Sequence, residues 1–166
     1  HHKTTGLSTV EIASKNAAKL NTEFKKFFDN SNLQYKSYVL KNKNKDKTER
    51  LINLLDKHEI AYEYSEEGQV KGYNYQTQKE GRMNVNPFDL VIHSNQPKGK
   101  MVKVLFEPNA KLADSLTYDI TAWSLPYAHG FKAMASKTKV PSRKDFLVGM
   151  VFNKPNKEAY AYLSKW

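Results

Sequence analysis

The residues that could perform chemistry are few in this sequence, and their spacing matches no common catalytic motif. Histidines stand only at His1, His2, His58, His93 and His129. None of them begins the H-x-x-E or H-E-x-x-H motif with which zinc hydrolases hold their metal. The sequence therefore predicts hydrogen-bonded or exposed histidines, with no metal or cofactor site in this chain.

Nucleophilic and phosphate-binding motifs are missing as well. The chain has no cysteine, which excludes thiol nucleophiles, disulfides and cysteine-ligated metals. It contains no G-x-S-x-G for a serine on a strained turn. Neither the P-loop nor the G-x-G-x-x-G motif occurs, so a nucleotide-binding loop of either kind is excluded.

The densest unusual stretch runs from residue 118 to residue 126, with the sequence YDITAWSLP. Its aromatic and polar side chains, with the nearby His129, supply the candidate binding residues Tyr118, Asp119, Trp123 and His129. Two interpretations stay open, because Asp119 could cap a short helix that buries Trp123 or could line a pocket. A small independent enzyme built around Asp119 and His129 is a further alternative.

Net charge and tyrosine spacing indicate a second class of function, the binding of glycans or polyanions. The formal net charge is +10, and 24 lysines stand beside only 3 arginines. The shortage of planar guanidinium groups disfavours nucleic acid as a partner. Tyrosines two residues apart share one face of a strand, as in Tyr62/Tyr64, Tyr73/Tyr75 and Tyr160/Tyr162. Such pairs suit cross-strand packing, or a platform for a glycan or polyanion beside the lysines.

The elements that must position these residues begin with an amphipathic helix. Ser8 and Glu11 form an S-x-x-E capping box, and apolar residues follow at steps of three and four as far as Phe28. A strand over Tyr35–Leu40, a helix capped by Asp46 and a returning strand over Ile60–Tyr64 predict a parallel β-α-β crossover.

The remaining elements predict one α/β domain with extra segments at both ends. The apolar run from Leu90 to Ile92 is typical of a buried central strand. We expect an α/β fold with a mixed sheet around the crossover and helices on both faces. The expected boundaries are an N-terminal helical arm over 1–30, the α/β domain over 31–136, and a linker with strands over 137–166 that leads into a truncated following unit. Neither terminus is typical of a native protein end, so we expect a segment of a larger chain. Mean hydropathy of -0.74, without an apolar run of ~18 residues, predicts no membrane span.

Three strings carry a family resemblance: NQP at 95–97, MVKVLFEP at 101–108 and YDITAWSLP at 118–126. Together with GYNY at 72–75 and SLTY at 115–118, they resemble the region downstream of the catalytic domain in large secreted zinc carboxypeptidase-like proteins. These are bacterial proteins, of a flavobacterial type, in the carboxypeptidase A superfamily. The resemblance covers most of the chain, from about Leu7 to Trp166.

The resemblance implies a non-catalytic accessory domain that packs on its own upstream peptidase domain or shapes substrate access. The parent protein would be secreted, periplasmic or at the cell surface. Its upstream domain would hold zinc through an H-x-x-E pair and a distant histidine, none of which lies in this sequence. Some segments of this kind look like the amidotransferase-type doubly wound fold. A polyanion- or glycan-binding module remains the alternative function.

Overall fold

A computed structural model of the chain describes residues 2–109 and 124–143. The described part is an α/β fold with five helices and seven strands, which confirms the expected class. The helices are α1 (His2–Lys15), α2 (Ala17–Phe27), α3 (Lys45–Lys57), α4 (Gly99–Phe106) and α5 (Leu125–Ala128). The strands are β1 (Ser37–Leu40), β2 (Glu63–Ser65), β3 (Gly68–Asn74), β4 (Lys79–Val85), β5 (Leu90–His93), β6 (Ala133–Ser136) and β7 (Ser142–Arg143). No described helix is both long enough and apolar enough to cross a bilayer.

The N-terminal helix is present, but it begins earlier than the capping box indicated. Ser8 lies inside α1, which starts at His2. A single non-helical residue, Asn16, separates α1 from α2, and its Nδ2 donates to the carbonyl of Ile12 at 2.8 Å. Every residue from 3 to 29 is exposed to solvent. The large apolar side chains of these two helices are therefore left exposed to solvent among the described residues.

The sheet has the order β4-β3-β6-β1-β5-β2-β7, and each neighbouring pair is antiparallel. Because β1 and β2 both pair antiparallel with β5, they run parallel to each other, and α3 connects them. The predicted crossover is thus present, but β5 lies between its two strands. Every neighbouring pair of these strands is antiparallel, so the sheet is not the mixed sheet that we expected. The doubly wound arrangement needs parallel neighbours, which these strands do not have.

Helices α3 and α4 pack on one face of the sheet, which we call the helical face. Its core combines side chains of β1, β5 and β6 with side chains of both helices: Tyr38, Leu40, Leu90, Ile92, Ala133, Ala135, Leu51, Leu55, Val102 and Phe106. Period-2 alternation sends the intervening residues Val39, Val91 and Met134 to the opposite face. The expectation of helices on both faces is therefore wrong for the described residues.

The β3–β4 hairpin covers that second face, which we call the hairpin face. Val70 and Val85 of the hairpin pack with Val39, Val91 and Met134, and Val140 completes the cluster. The sheet can curl in this way because position 72 has no side chain. A Cβ on Gly72 would lie 2.2 Å from the carbonyl oxygen of Ala135. The curl removes the need for a helix on this side, since the sheet buries its own apolar surface.

Helix α3 begins two residues earlier than its sequence pattern suggested. Asn44, not Asp46, is the N-cap, and its Oδ1 accepts a hydrogen bond from the amide of Lys47 at 3.0 Å. Asp46 lies in the first turn, where a negative charge interacts favourably with the helix dipole. The cap places the loop before α3 beside the end of β1, where a wide cleft opens.

Candidate functional site

Three of the four candidate residues predicted from the sequence, Tyr118, Asp119 and Trp123, lie outside the described residues. The fourth, His129, follows α5 as its C-cap and is exposed. Its ring centroid lies 6.4 Å from that of Phe131. The pairing of Asp119 with His129 as an enzyme site therefore stays a prediction.

A cleft of about 670 Å³, which we call the aromatic cleft, opens beside the loop between β1 and α3. Its apolar side consists of Ile52, Tyr62, Tyr64 and Phe88. Its polar side includes Lys41, Asn42, Lys43 and Lys45 from the loop between β1 and α3 and from the start of that helix. The cleft therefore brings an aromatic surface and a lysine-rich loop together, although they are separate in the sequence.

The Tyr62/Tyr64 pair forms the aromatic wall of this cleft. The two ring centroids lie 6.3 Å apart, and the rings are nearly perpendicular at 86°. Both side chains are half-buried, because they pack against the core of the helical face. Burial raises the pKa of each phenol above its usual value. A phenol is already protonated at neutral pH, and burial reinforces that state for both tyrosines.

The other tyrosine pairs have different surroundings. Tyr73 and Tyr75 lie edge to face with centroids 6.0 Å apart, and both contribute to the helical-face core. The buried Tyr75 hydroxyl donates to the backbone carbonyl of Phe106. This pair is occupied in packing, as the cross-strand interpretation predicts. The Tyr160/Tyr162 pair lies outside the described residues.

A buried carboxylate holds the loop that forms the polar side of the cleft. Asp89 is 3% exposed, and it accepts hydrogen bonds from Lys41 Nζ at 2.6 Å, Asn42 N at 3.0 Å and Asn86 N at 2.8 Å. The run of lysines and asparagines at 41–45 is typical of a solvated loop, yet Lys41 and Asn42 are partly buried. The ion pair and the backbone bonds fix the shape of the cleft before any ligand arrives.

A second polar constellation joins four strands of the sheet. Ser37 Oγ lies 2.9 Å from His93 Nδ1, and His93 Nε2 lies 2.7 Å from Ser142 Oγ. Ser142 Oγ in turn donates to Glu63 Oε2 at 2.6 Å. Sequence reasoning missed this group because its members come from β1, β5, β7 and β2, and no local motif links them. Only the strand order brings them together.

Proton positions follow from counting donors along this chain of hydrogen bonds. Ser37 Oγ accepts from the amide of Val140 at 3.0 Å, and its own proton is available to Nδ1 of a neutral His93. The proton of Ser142 goes to Glu63, so His93 Nε2 is the donor to Ser142. Burial lowers the pKa of His93, with the carboxylate of Glu63 opposing that effect. The neutral imidazole therefore satisfies every bond.

This arrangement fastens the sheet and does not activate a nucleophile. An activated serine must give its proton to the histidine, whereas Ser142 gives its proton to Glu63. Ser37 is fully buried, so no substrate reaches it. The network instead anchors β7 and the Val140 segment to the strands beneath them.

Among residues 2–109 and 124–143, no group of three or more histidine and carboxylate side chains is placed to hold a metal ion. No protein-family model, curated protein or solved structure significantly matches the chain. The aromatic cleft and the exposed stripe of α1 and α2 are thus the described features from which a function can be argued.

Proposed function

We propose that this chain is a non-catalytic accessory domain of a larger exported zinc carboxypeptidase-like protein. Its role is to pack on the peptidase domain and so to shape substrate access. The zinc and the catalytic groups would belong to that peptidase domain. The sequence strings at 95–97, 101–108 and 118–126 support the parent family, and the surface of the N-terminal helices supports the packing.

The single observation that carries the packing role is the apolar stripe of α1 and α2. Seven large apolar side chains of this arm are exposed: Leu7, Val10, Ile12, Leu20, Phe24, Phe27 and Phe28. Phe28 contacts Phe24 and Phe27 edge to face, with centroids 5.0 and 5.3 Å away. Leu20, Phe24, Phe27 and Phe28 lie at helical spacing on one side of α2, whereas Leu7, Val10 and Ile12 are spread around α1. An exposed apolar patch like the one on α2 marks an interaction surface. The peptidase domain of the same parent chain is the partner we propose for it.

A binding titration tests this role. The chain would be mixed with the peptidase domain encoded upstream in its parent reading frame, and association would be followed by sedimentation velocity and calorimetry. A triple variant, L20N/F24N/F27N, should weaken binding at least tenfold because it removes the apolar contact. The matched control, K19N/E23N/K26N, replaces three charged side chains on the adjacent helix face by asparagine. It should bind nearly as well as the unaltered chain.

Three results would contradict the proposal. The first is the absence of association between the unaltered chain and the peptidase domain, and the second is an equal loss of binding in both triple variants. The third is release of C-terminal residues from peptides by this chain alone with added zinc, which would make it an enzyme. Because the arm is exposed throughout, neither triple variant should change the urea midpoint of the folded core.

The second candidate function is a binding module for glycans or polyanions. The observation that favours it is the aromatic cleft, where Tyr62, Tyr64 and Phe88 face a lysine-bearing loop. Aromatic rings accept sugar rings or bases on their faces, and lysines pair with anions. The two functions are compatible, since the cleft and the arm are formed by different elements.

A further inference from the structure

We infer that the aromatic cleft is a subsite for a carboxylated sugar, a uronate residue within an acidic oligosaccharide, with its ring against the aromatic wall and its carboxylate at Lys43. This inference rests on the second proposed function and is independent of the packing role. It narrows the ligand from glycans and polyanions in general to one chemical class.

The charges around the cleft leave one cation without a carboxylate partner. Lys41 is neutralised by Asp89, at 2.6 Å. Lys45 lies 3.6 Å from Glu49 in an exposed pair that contributes little. Lys43 is exposed and makes no ion pair within the described part of the chain. A ligand that occupies the cleft therefore gains from carrying an anionic group that reaches Lys43.

The geometry of the rings suits a single sugar ring. Tyr62 and Tyr64 are nearly perpendicular, so the two rings do not form one continuous flat platform. Single-stranded nucleic acid is bound by stacking successive bases on ring faces along a basic groove. A pyranose needs only one face for its C–H groups, and Phe88, 43% exposed, lies on the same apolar side.

Hydrogen-bond donors suited to hydroxyl groups line the same space. Asn42 accepts from Thr48 through its Oδ1 at 2.7 Å, which leaves its amide N–H groups for a ligand. The phenol of Tyr62 is protonated at neutral pH, as phenols ordinarily are, and burial raises its pKa further. None of the chain's three arginines lines the cleft, so the planar forks that favour phosphate are missing here. Asp89 holds the loop in place, which limits the ordering cost of binding.

Calorimetric titration of the full chain with defined oligosaccharides tests the inference. The probes are α-1,4-linked tetragalacturonate, its neutral galactose counterpart and a short oligothymidylate, each at low and high salt. We expect tetragalacturonate to bind more tightly than both other probes. Phe88→Ser should weaken its binding about tenfold, equivalent to about 1.4 kcal/mol. Lys43→Gln should remove most of the preference for the acidic over the neutral sugar. Lys79→Gln, an exposed lysine in β4 outside the cleft, is the matched control and should leave binding unchanged.

Four outcomes of this titration would contradict the inference, each in a different way. Equal binding of the acidic and neutral sugars overturns the carboxylate inference but leaves a glycan-binding module. Tighter binding of oligothymidylate overturns it in favour of nucleic acid. Unchanged tetragalacturonate binding in both Phe88→Ser and Lys43→Gln places the ligand elsewhere and overturns the site. Failure of every probe to bind overturns the inference together with the second proposed function, while the packing role keeps its separate test.

Discussion

Replacing Lys41 by methionine should destabilise the fold, because this lysine neutralises a buried carboxylate. The Lys41 and Asp89 side chains are only 13% and 5% exposed, and their charged atoms are 2.6 Å apart. Breaking a buried ion pair by removing one partner costs about 3–5 kcal/mol. The amides of Asn42 and Asn86 still donate to Asp89 in the variant. We therefore expect the lower end, a loss of about 3 kcal/mol in the free energy of unfolding.

Urea unfolding followed by far-ultraviolet circular dichroism measures this loss. Lys43→Met is the matched control, since it makes the same chemical change two residues away on an exposed side chain. It should alter the free energy of unfolding by less than about 0.5 kcal/mol. Asp89→Asn, alone and combined with Lys41→Met, completes a double-mutant cycle, and the two changes should be strongly non-additive. Equal urea midpoints for the two lysine variants, or additive effects in the cycle, would refute the buried pair as a fastening of the loop.

Three further perturbations test the fold and its polar network. Gly72→Ala should lower the free energy of unfolding by about 2 kcal/mol, because the new Cβ would meet a backbone carbonyl. Gly81→Ala is the control and should lower it far less, since a Cβ there has open space. Equal urea midpoints for the two variants would contradict the role of Gly72 in the curl of the sheet. Burial lowers the pKa of His93 below its ordinary 6.5, so the unfolded chain binds a proton at this histidine more readily than the folded chain does. The free energy of unfolding should therefore be highest above pH 6.5 and should decline as the pH falls below that value. His93→Gln should flatten that part of the pH profile, and an unchanged slope would count against the assignment. Asn44→Ala should lower the free energy of unfolding by about 1 kcal/mol, and a larger loss from Asp46→Ala would restore Asp46 as the cap.

The sequence was informative about individual helices and strands, because buried apolar residues recur with the period of each element. The spacing of Leu51 and Leu55 predicted the helix that now packs on the sheet. The unbroken run from Leu90 to Ile92 predicted a buried interior strand, and β5 has partners on both sides. Cap positions were less certain, because Asn44 and Asp46 are both good caps and only the backbone geometry distinguishes them.

Strand neighbours could not be predicted in the same way. The alternation of apolar residues identifies a strand and its buried face, but it carries no information about which strand lies alongside. The parallel relation of β1 and β2 was therefore correctly expected, while the insertion of β5 between them was not. The curl over the hairpin face depends on one absent Cβ at Gly72, a feature that sequence periodicity does not register.

The candidate site, too, could be predicted from the sequence only in part. Spacing identified Tyr62 and Tyr64 as a pair on one face, and both line the aromatic cleft. Phe88 and Asp89 were missed, because they lie in a turn far from those tyrosines in the sequence. The hydrogen-bonded group at His93 joins residues 56 and 49 positions apart. Contacts over such separations become visible only when the strand order is known.

The position of β6 has a consequence for how the chain is synthesised. This strand lies between β1 and β3, yet of the seven strands in the described ranges only β7 is translated after it. A nascent chain that ends before residue 133 therefore exposes two unpaired strand edges, the kind of surface that pairs with other chains. We expect ribosome-stalled or prematurely terminated products of this length to aggregate, and those that extend past β6 to remain monomeric.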